Sequence, residues 1–441
     1  DYIIKNISST SNLICNDLNK YLNHTSYIGT HAFQLAYMGI NNVELLKKIS
    51  TVHRKICPKI NYISNFTVNK NTNRKIRIAF FSNLLKQDHS VTRDRSGIIR
   101  NLDKNKFDIY CITFTDKIKG KLSESLFNEV PSNKNVVLSK TNHELNIKLI
   151  EELNLDIILY CEIGMDPLNY FYASMRLAPI QCTTWGHSYT SGISTIDYYL
   201  SSKLYEVDEL KNPQQYYSEK LILMDSLTTY YYNPISDIEI LENLNITGID
   251  FSKNLYYCLQ SPFKISWEFD EILKNIFIKD ENGIILLSDI NGVSLKRTLI
   301  PRFEKTIGKE LLKRILFLPG LEKKQYISLI SKCDVHIDTY PFGSCNSTID
   351  SLMLGKPVIT LPSEFLSGRF TFGFYKKMEM VDLVATTKEE YVDIAVKSAN
   401  DKEWIKPKID IIKEKSQSLL QDDASVEEYN IHLENLFKYY I

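Results

Sequence analysis

The chain has 441 residues, 44% of them apolar, which suffices for the cores of about two ordinary domains. Lysine plus arginine and aspartate plus glutamate balance at 53 each, so no global charge exists to recruit nucleic acid or an anionic membrane. The eight cysteines are scattered without a C-x-x-C pair, which argues against a zinc ribbon or disulfide framework. With no signal peptide and only short apolar runs, we expect a cytoplasmic protein without a membrane span.

Residues 1–72 are predicted to form a helical N-terminal cap that ends in a linker. Apolar residues recur at helical spacing through 33–38 and 43–52, whereas residues 58–74 are polar and rich in asparagine. The sequence shows no 34-residue repeat.

Residues 73–235 are predicted to form a first Rossmann-like domain. The nearly continuous apolar run Lys75–Phe81 is typical of a parallel strand that is buried on both faces. The segments that follow alternate as in a parallel α/β sheet. They are strands at 107–114, 135–138 and 155–161 and a helix at 141–154.

Carboxylates stand on both sides of the strand predicted at 155–161. Because the carboxyl ends of parallel strands form the ligand crevice, topology favours Glu162 and Asp166 over Asp156 as site residues. Carboxylates at strand ends also commonly cap loops, so both interpretations stay open.

A second polar loop follows at Trp185–Gly192, between strands predicted near Arg176–Gln181 and 196–202. This glycine-containing turn is rich in hydroxyl groups and suits hydrogen bonding to a sugar or an acceptor. His187 lies in the turn, where the alternative to a functional histidine is a structural turn residue.

Residues 236–400 are predicted to form a second Rossmann-like domain, with the linker near 230–242 and C-terminal helices at 401–441 that pack back on the first domain. The strand 254–260 ends in Gln260, and Lys264 follows before an amphipathic helix. A lysine is usually solvated surface. The strand-end position makes Lys264 a candidate for neutralising an anion.

The stretch Asp338–Asp350 reads as a strand end, a Pro/Gly turn and a helix. A helix that begins directly after a strand points its first N–H groups at the turn, where Asn346, Ser347 and Thr348 could add hydrogen bonds to a phosphate. The alternative is an ordinary N-cap, because serine, threonine and asparagine are preferred caps.

Several blocks together resemble the O-GlcNAc-transferase-like glycosyltransferases of family 41, which also include bacterial cytoplasmic N-glucosyltransferases. The resemblance covers roughly residues 75–400 and is carried by Ala-Pro-Ile-Gln at 178–181, Trp-Gly-His at 185–187, the stretch 338–350 and Phe-Leu-Ser-Gly-Arg at 365–369. It implies an α/β fold of the GT-B class, two Rossmann-like domains facing a cleft, with residues 73–235 on the acceptor side and 236–400 binding a UDP-sugar. The sequence departs from the family at Ser344 and Cys345, where glycine is usual, and at Ser188, where proline is usual.

The resemblance also implies roles for individual residues. Lys264 would contact the donor diphosphate, His89 would face the sugar, and a catalytic aspartate would lie at about Asp156. The general base stays open among His89, His187, Asp156, Asp166 and a phosphate oxygen of the donor. Residues expected to bind the donor are Gln260, Lys264, Pro319, Gly320, Asn346, Ser347, Thr348, Asp350 and Arg369.

The predicted activity is inverting transfer of a sugar, GlcNAc in the first interpretation, from a UDP-sugar to serine or threonine of a protein. No Asp-x-Asp motif follows a strand, so we expect neither a metal nor another cofactor. Alternatives are glucose transfer to asparagine, nucleotide-sugar epimerisation, and a non-catalytic nucleotide-sugar-binding module. Residue 1 is aspartate rather than methionine, so a longer protein with N-terminal repeats is a further expectation.

Overall fold

The computed structural model describes residues 14–23, 31–66, 74–206, 212–244, 246–289 and 294–440. These residues form two compact units. Unit 1 comprises the residues up to Ala36, Ile40–Tyr231 and the residues from Gln421 onward, and unit 2 comprises Tyr37–Gly39 and Tyr232–Leu420. The stretch 401–441 is therefore divided between the units after Leu420.

Unit 1 is built on a seven-stranded sheet in which every neighbouring pair is parallel, in the order β3-β2-β1-β4-β5-β6-β7. Its strands are β1 (Ile76–Phe81), β2 (Phe107–Thr113), β3 (Asn135–Val137), β4 (Ile157–Tyr160), β5 (Ile180–Thr184), β6 (Tyr198–Ser202) and β7 (Lys220–Met224). Four consecutive β1 residues from Ile78 onward are fully buried, which confirms a strand covered on both faces.

Helices flank this sheet and connect its parallel strands. They are Leu18–Asn23, His31–Gln34, Val43–Ile56, Ser90–Asn101, Lys121–Glu129, His143–Glu152, Pro167–Ala173, Lys203–Glu206 and Asp423–Tyr440. The C-terminal helix joins the unit through its buried face, where the hydroxyl oxygen of Tyr429 accepts a hydrogen bond of 2.8 Å from the Arg95 guanidinium.

Unit 2 holds a five-stranded parallel sheet in the order β10-β9-β8-β11-β12. Its strands are β8 (Asn254–Cys258), β9 (Gly283–Ser288), β10 (Ile315–Leu318), β11 (Val335–Ile337) and β12 (Val358–Ile359). Its helices are Trp267–Lys279, Ser294–Thr306, Lys309–Leu312, Lys323–Lys332, Asn346–Met353, Phe370–Lys377, Lys388–Asn400 and Lys402–Lys415.

The strand order of each sheet reverses beside its first strand, between β1 and β4 in unit 1 and between β8 and β11 in unit 2. In open parallel sheets, ligands bind at the carboxyl ends of the strands on either side of such a reversal. The prediction of two Rossmann-like α/β domains is confirmed, and each sheet has one position where a site is expected. Within the described ranges, no helix has both the length and the apolar character needed to cross a membrane.

Candidate active site

In unit 2, Gln260 and Lys264 follow the carboxyl end of β8, beside the strand reversal. The Lys264 ammonium donates to Gln260 Oε1 at 3.0 Å and to the Gly343 carbonyl at 2.7 Å, and it lies 4.9 Å from the centre of the Phe342 ring. Burial lowers the pKa of Lys264, and the Asp338 carboxylate opposes that effect. An ammonium has three N–H groups, so these contacts leave one for a ligand.

Asp338 follows the carboxyl end of β11 and is 2% exposed. Its Oδ1 accepts from the Ser344 backbone N–H at 2.6 Å and from Gln260 Nε2 at 3.3 Å. Its Oδ2 accepts from the hydroxyl groups of Thr360 at 2.9 Å and Thr371 at 2.8 Å. One carboxylate therefore ties the β11 end, the following turn and two later segments together.

The helix Asn346–Met353 begins at this turn, as predicted. Asn346 and Ser347 are partly exposed on its first turn, whereas Thr348 is fully buried. The Thr348 hydroxyl lies 2.5 Å from Ser344 Oγ and 2.8 Å from Thr371 Oγ1. The structure thus brings Asn346 and Ser347 to the surface of the turn and directs the Thr348 side chain into a buried cluster of hydroxyl groups.

The other predicted donor-binding residues of unit 2 lie around this edge. Asp350 is 6% exposed and one turn further along the helix, and Arg369 is 7% exposed and donates to the Ser363 carbonyl at 3.2 Å. The glycine before Arg369 is needed because a Cβ on Gly368 would come 2.2 Å from the Pro341 carbonyl oxygen. Pro319 and Gly320 are exposed directly after β10.

In unit 1, Glu162 lies at the strand reversal after β4 and is fully buried. It accepts from Asn169 Nδ2 at 2.6 Å, from the Met165 N–H at 2.9 Å and from Ser82 Oγ at 3.4 Å. Burial and the nearby Asp166 charge raise the pKa of Glu162 to about 8. These hydrogen bonds tie the Glu162 side chain to the turn after β4 and so hold in place the backbone that carries Asp166.

Asp166 is partly buried and caps the helix Pro167–Ala173, because its Oδ1 accepts from the Leu168 N–H at 2.9 Å. Burial raises its pKa, while the hydrogen bonds from Leu168 and the Asn83 side chain lower it. Its carboxylate thus lies after the carboxyl end of β4, at the same edge of the sheet as Glu162.

Both predicted histidines lie in loops at this edge. His89 caps the helix Ser90–Asn101, with Nδ1 accepting from the Val91 N–H at 3.2 Å. The His187 ring stacks on Phe33 at 4.6 Å, and a Cβ on Gly164 of the β4 turn would lie 3.3 Å from it. Burial lowers the pKa of His89 and lowers that of His187 to about 4, so both rings are neutral at pH 7.

The structure does not bring Asp156 together with these groups. Asp156 precedes β4, at the amino edge of the sheet, whereas Asp166 follows the strand. Arg74 donates to its two carboxylate oxygens at 2.7 and 2.6 Å, and the Arg77 N–H donates at 2.8 Å. Both carboxylate oxygens of Asp156 are therefore engaged in contacts that stabilise the amino edge of the sheet.

No cluster of three or more histidine, cysteine, aspartate or glutamate side chains with a metal-binding arrangement occurs among the described residues. The two edges offer different chemistry. Unit 2 presents an ammonium beside a helix N-terminus, which suits a phosphate, and unit 1 presents neutral imidazoles and a carboxylate, which suit proton transfer.

Comparison with known protein families finds a match in the C-terminal part of the chain. Residues 260–430, which include Lys264 and the helix Asn346–Met353, match the model of Glycosyl transferase family 41. Over these residues the chain is similar to the family 41 glycosyltransferases. The match confirms the resemblance noted in the sequence.

The curated proteins to which the chain is similar include two kinds of glycosyltransferase. A UDP-glucose:protein N-beta-glucosyltransferase of Actinobacillus pleuropneumoniae is 26% identical over 58% of this chain and 40% of its own length. A probable UDP-N-acetylglucosamine–peptide N-acetylglucosaminyltransferase SPINDLY of Petunia hybrida is 23% identical over 74% of this chain and 31% of its own length. The chain thus spans well under half of these relatives.

Solved structures support the fold. A mutant O-GlcNAc transferase of Thermobaculum terrenum superposes with a TM-score of 0.74 at 19% identity, covering 92% of this chain and 76% of that one. Sucrose-phosphate synthase of Thermosynechococcus elongatus gives 0.53 at 12% identity, covering 83% of this chain and all of that one. The fold of the chain is GT-B.

Sequence reasoning did not single out Asp338 as a site residue, although it lies in the stretch that suggested the site. Its partners Thr360 and Thr371 are 22 and 33 residues away along the chain. A carboxylate directly after a short buried strand was the available signal, but its partners follow only from the folded structure.

Proposed function

We propose that the protein is an inverting, metal-independent glycosyltransferase that moves GlcNAc from UDP-GlcNAc to serine or threonine of a protein. The observation that carries the proposal is the pairing of Lys264 with the start of the helix Asn346–Met353 at the strand reversal of unit 2. A positive side chain and a helix N-terminus at one sheet edge form a favourable site for a diphosphate.

Leaving-group stabilisation is the role proposed for this edge. As the sugar–phosphate bond breaks, negative charge grows on the departing UDP, and the Lys264 ammonium lies among fixed partners before the reaction starts. Donors that are already oriented where charge develops need no reorganisation during the step. Ser347, partly exposed on the helix's first turn, would add a hydroxyl donor.

Proton removal from the acceptor is the role proposed for the edge of unit 1. A general base must be unprotonated before it acts, and the lowered pKa values of His89 and His187 keep both rings neutral at pH 7. Asp166 offers a carboxylate at the same edge. The base is assigned to this group of three residues.

Glucose transfer to asparagine is the second candidate. It is favoured by the 26% identity to the Actinobacillus N-beta-glucosyltransferase, whereas the Petunia relative and the Thermobaculum structure favour GlcNAc. Both reactions would use the same diphosphate site, so they differ in the sugar pocket and in the acceptor.

The test is turnover of a panel of UDP- and GDP-sugars by the purified chain, with nucleotide release and the intact mass of added peptides read in parallel. We expect UDP release from UDP-GlcNAc, with a matching mass gain on a serine- or threonine-containing peptide. A mass gain from UDP-glucose on an asparagine peptide would select the second candidate. UDP release without any modified peptide would contradict protein transfer.

Two lysine variants make the test specific to the proposed site. Lys264→Ala should abolish the mass gain, whereas Lys309→Ala, which removes an exposed lysine of the same unit, should not. Absence of nucleotide binding at millimolar concentration by the unaltered chain would overturn the proposal.

A further inference from the structure

The two groups that accept hydrogen bonds from Lys264 are both held by one buried carboxylate. Gln260 Oε1 accepts from Lys264 at 3.0 Å, and the same amide donates through Nε2 to Asp338 Oδ1 at 3.3 Å. The Gly343 carbonyl accepts from Lys264 at 2.7 Å, and the next N–H, that of Ser344, donates to Asp338 Oδ1 at 2.6 Å. Both contacts of the ammonium therefore lead back to Asp338.

This arrangement fixes the orientation of the Gln260 amide. Asp338 Oδ1 accepts from the NH₂ end of the amide, which turns the amide oxygen towards Lys264. The hydroxyl groups of Thr360 and Thr371 occupy the other carboxylate oxygen at 2.9 and 2.8 Å. Asp338 is thus held from four directions at 2% exposure.

The hydrogen-bond partners of Lys264 orient its ammonium group without neutralising its charge. Among the contacts of the described residues, the Lys264 ammonium meets an amide oxygen and a backbone carbonyl rather than a carboxylate. A direct ion pair would cancel much of its charge, whereas neutral acceptors orient it and leave the charge available for a diphosphate.

We infer that Asp338 is a positioning residue that holds Lys264 through Gln260 and the Gly343–Ser344 backbone, and that Gln260 is the spacer that keeps the lysine charge unpaired. The inference rests on the proposed function, because it assigns the diphosphate to Lys264. It adds a requirement that a lysine at a strand end does not itself imply: the residue at position 260 must be neutral.

The test compares Gln260→Glu and Asp338→Asn with the unaltered chain in calorimetric titrations with UDP and with uridine. Gln260→Glu places a carboxylate directly beside the Lys264 ammonium. Asp338→Asn replaces one of the two carboxylate oxygens with an NH₂ group, so the side chain can no longer accept hydrogen bonds from all four of its present donors. Each should weaken UDP binding at least about tenfold and leave uridine binding within about twofold. Asp334→Asn, at the other end of β11, is the matched control and should change neither affinity.

The two ligands separate the possible outcomes. Unchanged UDP affinity in Gln260→Glu would overturn the spacer role, and equal losses for UDP and uridine would show a merely structural role and overturn the inference. Failure of the unaltered chain to bind UDP while it binds another nucleotide would instead overturn the proposed function. A selective loss of UDP affinity in Gln260→Glu would support the inference even if Asp338→Asn failed to fold.

Discussion

The side-chain amide of Asn169 donates a hydrogen bond of 2.6 Å to Glu162 Oε1 beneath the turn that follows β4. Burial is the main reason that the pKa of Glu162 rises from 4.5 to about 8. The unfolded chain therefore loses this proton at a lower pH than the folded chain. Between pH 4.5 and 8, rising pH favours the unfolded state, by up to about 1.4 kcal/mol per pH unit.

Glu162→Gln should remove this dependence. We expect urea denaturation at pH 6, 7 and 8 to show a free energy of unfolding that declines more steeply with pH in the unaltered chain than in the variant. The variant also loses part of the acceptor set, so its stability relative to the unaltered chain should be lowest at pH 6, where the Glu162 penalty is the smallest of the three. Parallel pH profiles would contradict the raised pKa.

A buried histidine should have the opposite pH dependence. His336 is 1% exposed, its Nδ1 lies 2.8 Å from Ser351 Oγ, and its ring stacks on Tyr257 at 4.8 Å. Burial lowers its pKa from 6.5 to about 4. Below pH 6.5 the imidazole is protonated in the unfolded chain but stays neutral in the folded chain. The free energy of unfolding therefore decreases as the pH decreases, by about 2 kcal/mol between pH 7 and pH 5.

The measurement is chemical denaturation of the unaltered chain and His336→Gln at both pH values. The variant should lose less stability on acidification than the unaltered chain, whatever its stability at pH 7. An equal loss in the two proteins would mean that His336 is not kept neutral.

Two glycines provide a test of the geometry of the site loops. A Cβ on Gly186 would lie 2.0 Å from the Cys161 carbonyl oxygen, whereas a Cβ on Gly320 would have no neighbour within 4 Å. Gly186→Ala should therefore destabilise the fold by about 2–3 kcal/mol, because backbone must move. Gly320→Ala should change stability by less than about 0.5 kcal/mol. Similar melting temperatures for the two variants would contradict the close packing of the Gly186 turn.

Buried parallel strands are the elements that sequence patterns predict most fully here. The apolar run 75–81 that forms β1 and the segment 107–114 that forms β2 match the observed bounds within a residue. The pattern missed β7, at the edge of its sheet, where Lys220 is exposed and the next three residues are only partly buried.

The site shows what a linear pattern does not contain. The preference of threonine for helix starts predicts Thr348 at the first turn, and it lies there. Its hydroxyl, however, meets Ser344 and Thr371, and Thr371 is 23 residues away along the chain. Which way a capping side chain turns depends on distant partners, and so does the role of Asp338.

Asp156 and Asp166 offer the sharpest separation between a structural and a catalytic carboxylate. The family resemblance implies catalysis at about Asp156, but Arg74 holds its two oxygens at 2.7 and 2.6 Å at the amino edge of the sheet. Asp156→Asn should lower the free energy of unfolding by roughly 2 kcal/mol, since it breaks a largely buried pair, and leave the transfer rate within about twofold.

Asp166→Asn should have the reverse effect. Its amide oxygen can still accept from the Leu168 N–H, so the helix cap and the stability should be largely kept. If the Asp166 carboxylate takes part in proton removal, kcat should fall at least about a hundredfold while KM for the UDP-sugar stays close to that of the unaltered chain. The measurement is of kcat, KM and the urea denaturation curve for both variants, and it shows which of the two carboxylates is catalytic and which is structural. A large loss of kcat in a stable Asp156→Asn protein would move the catalytic carboxylate to the amino edge of the sheet.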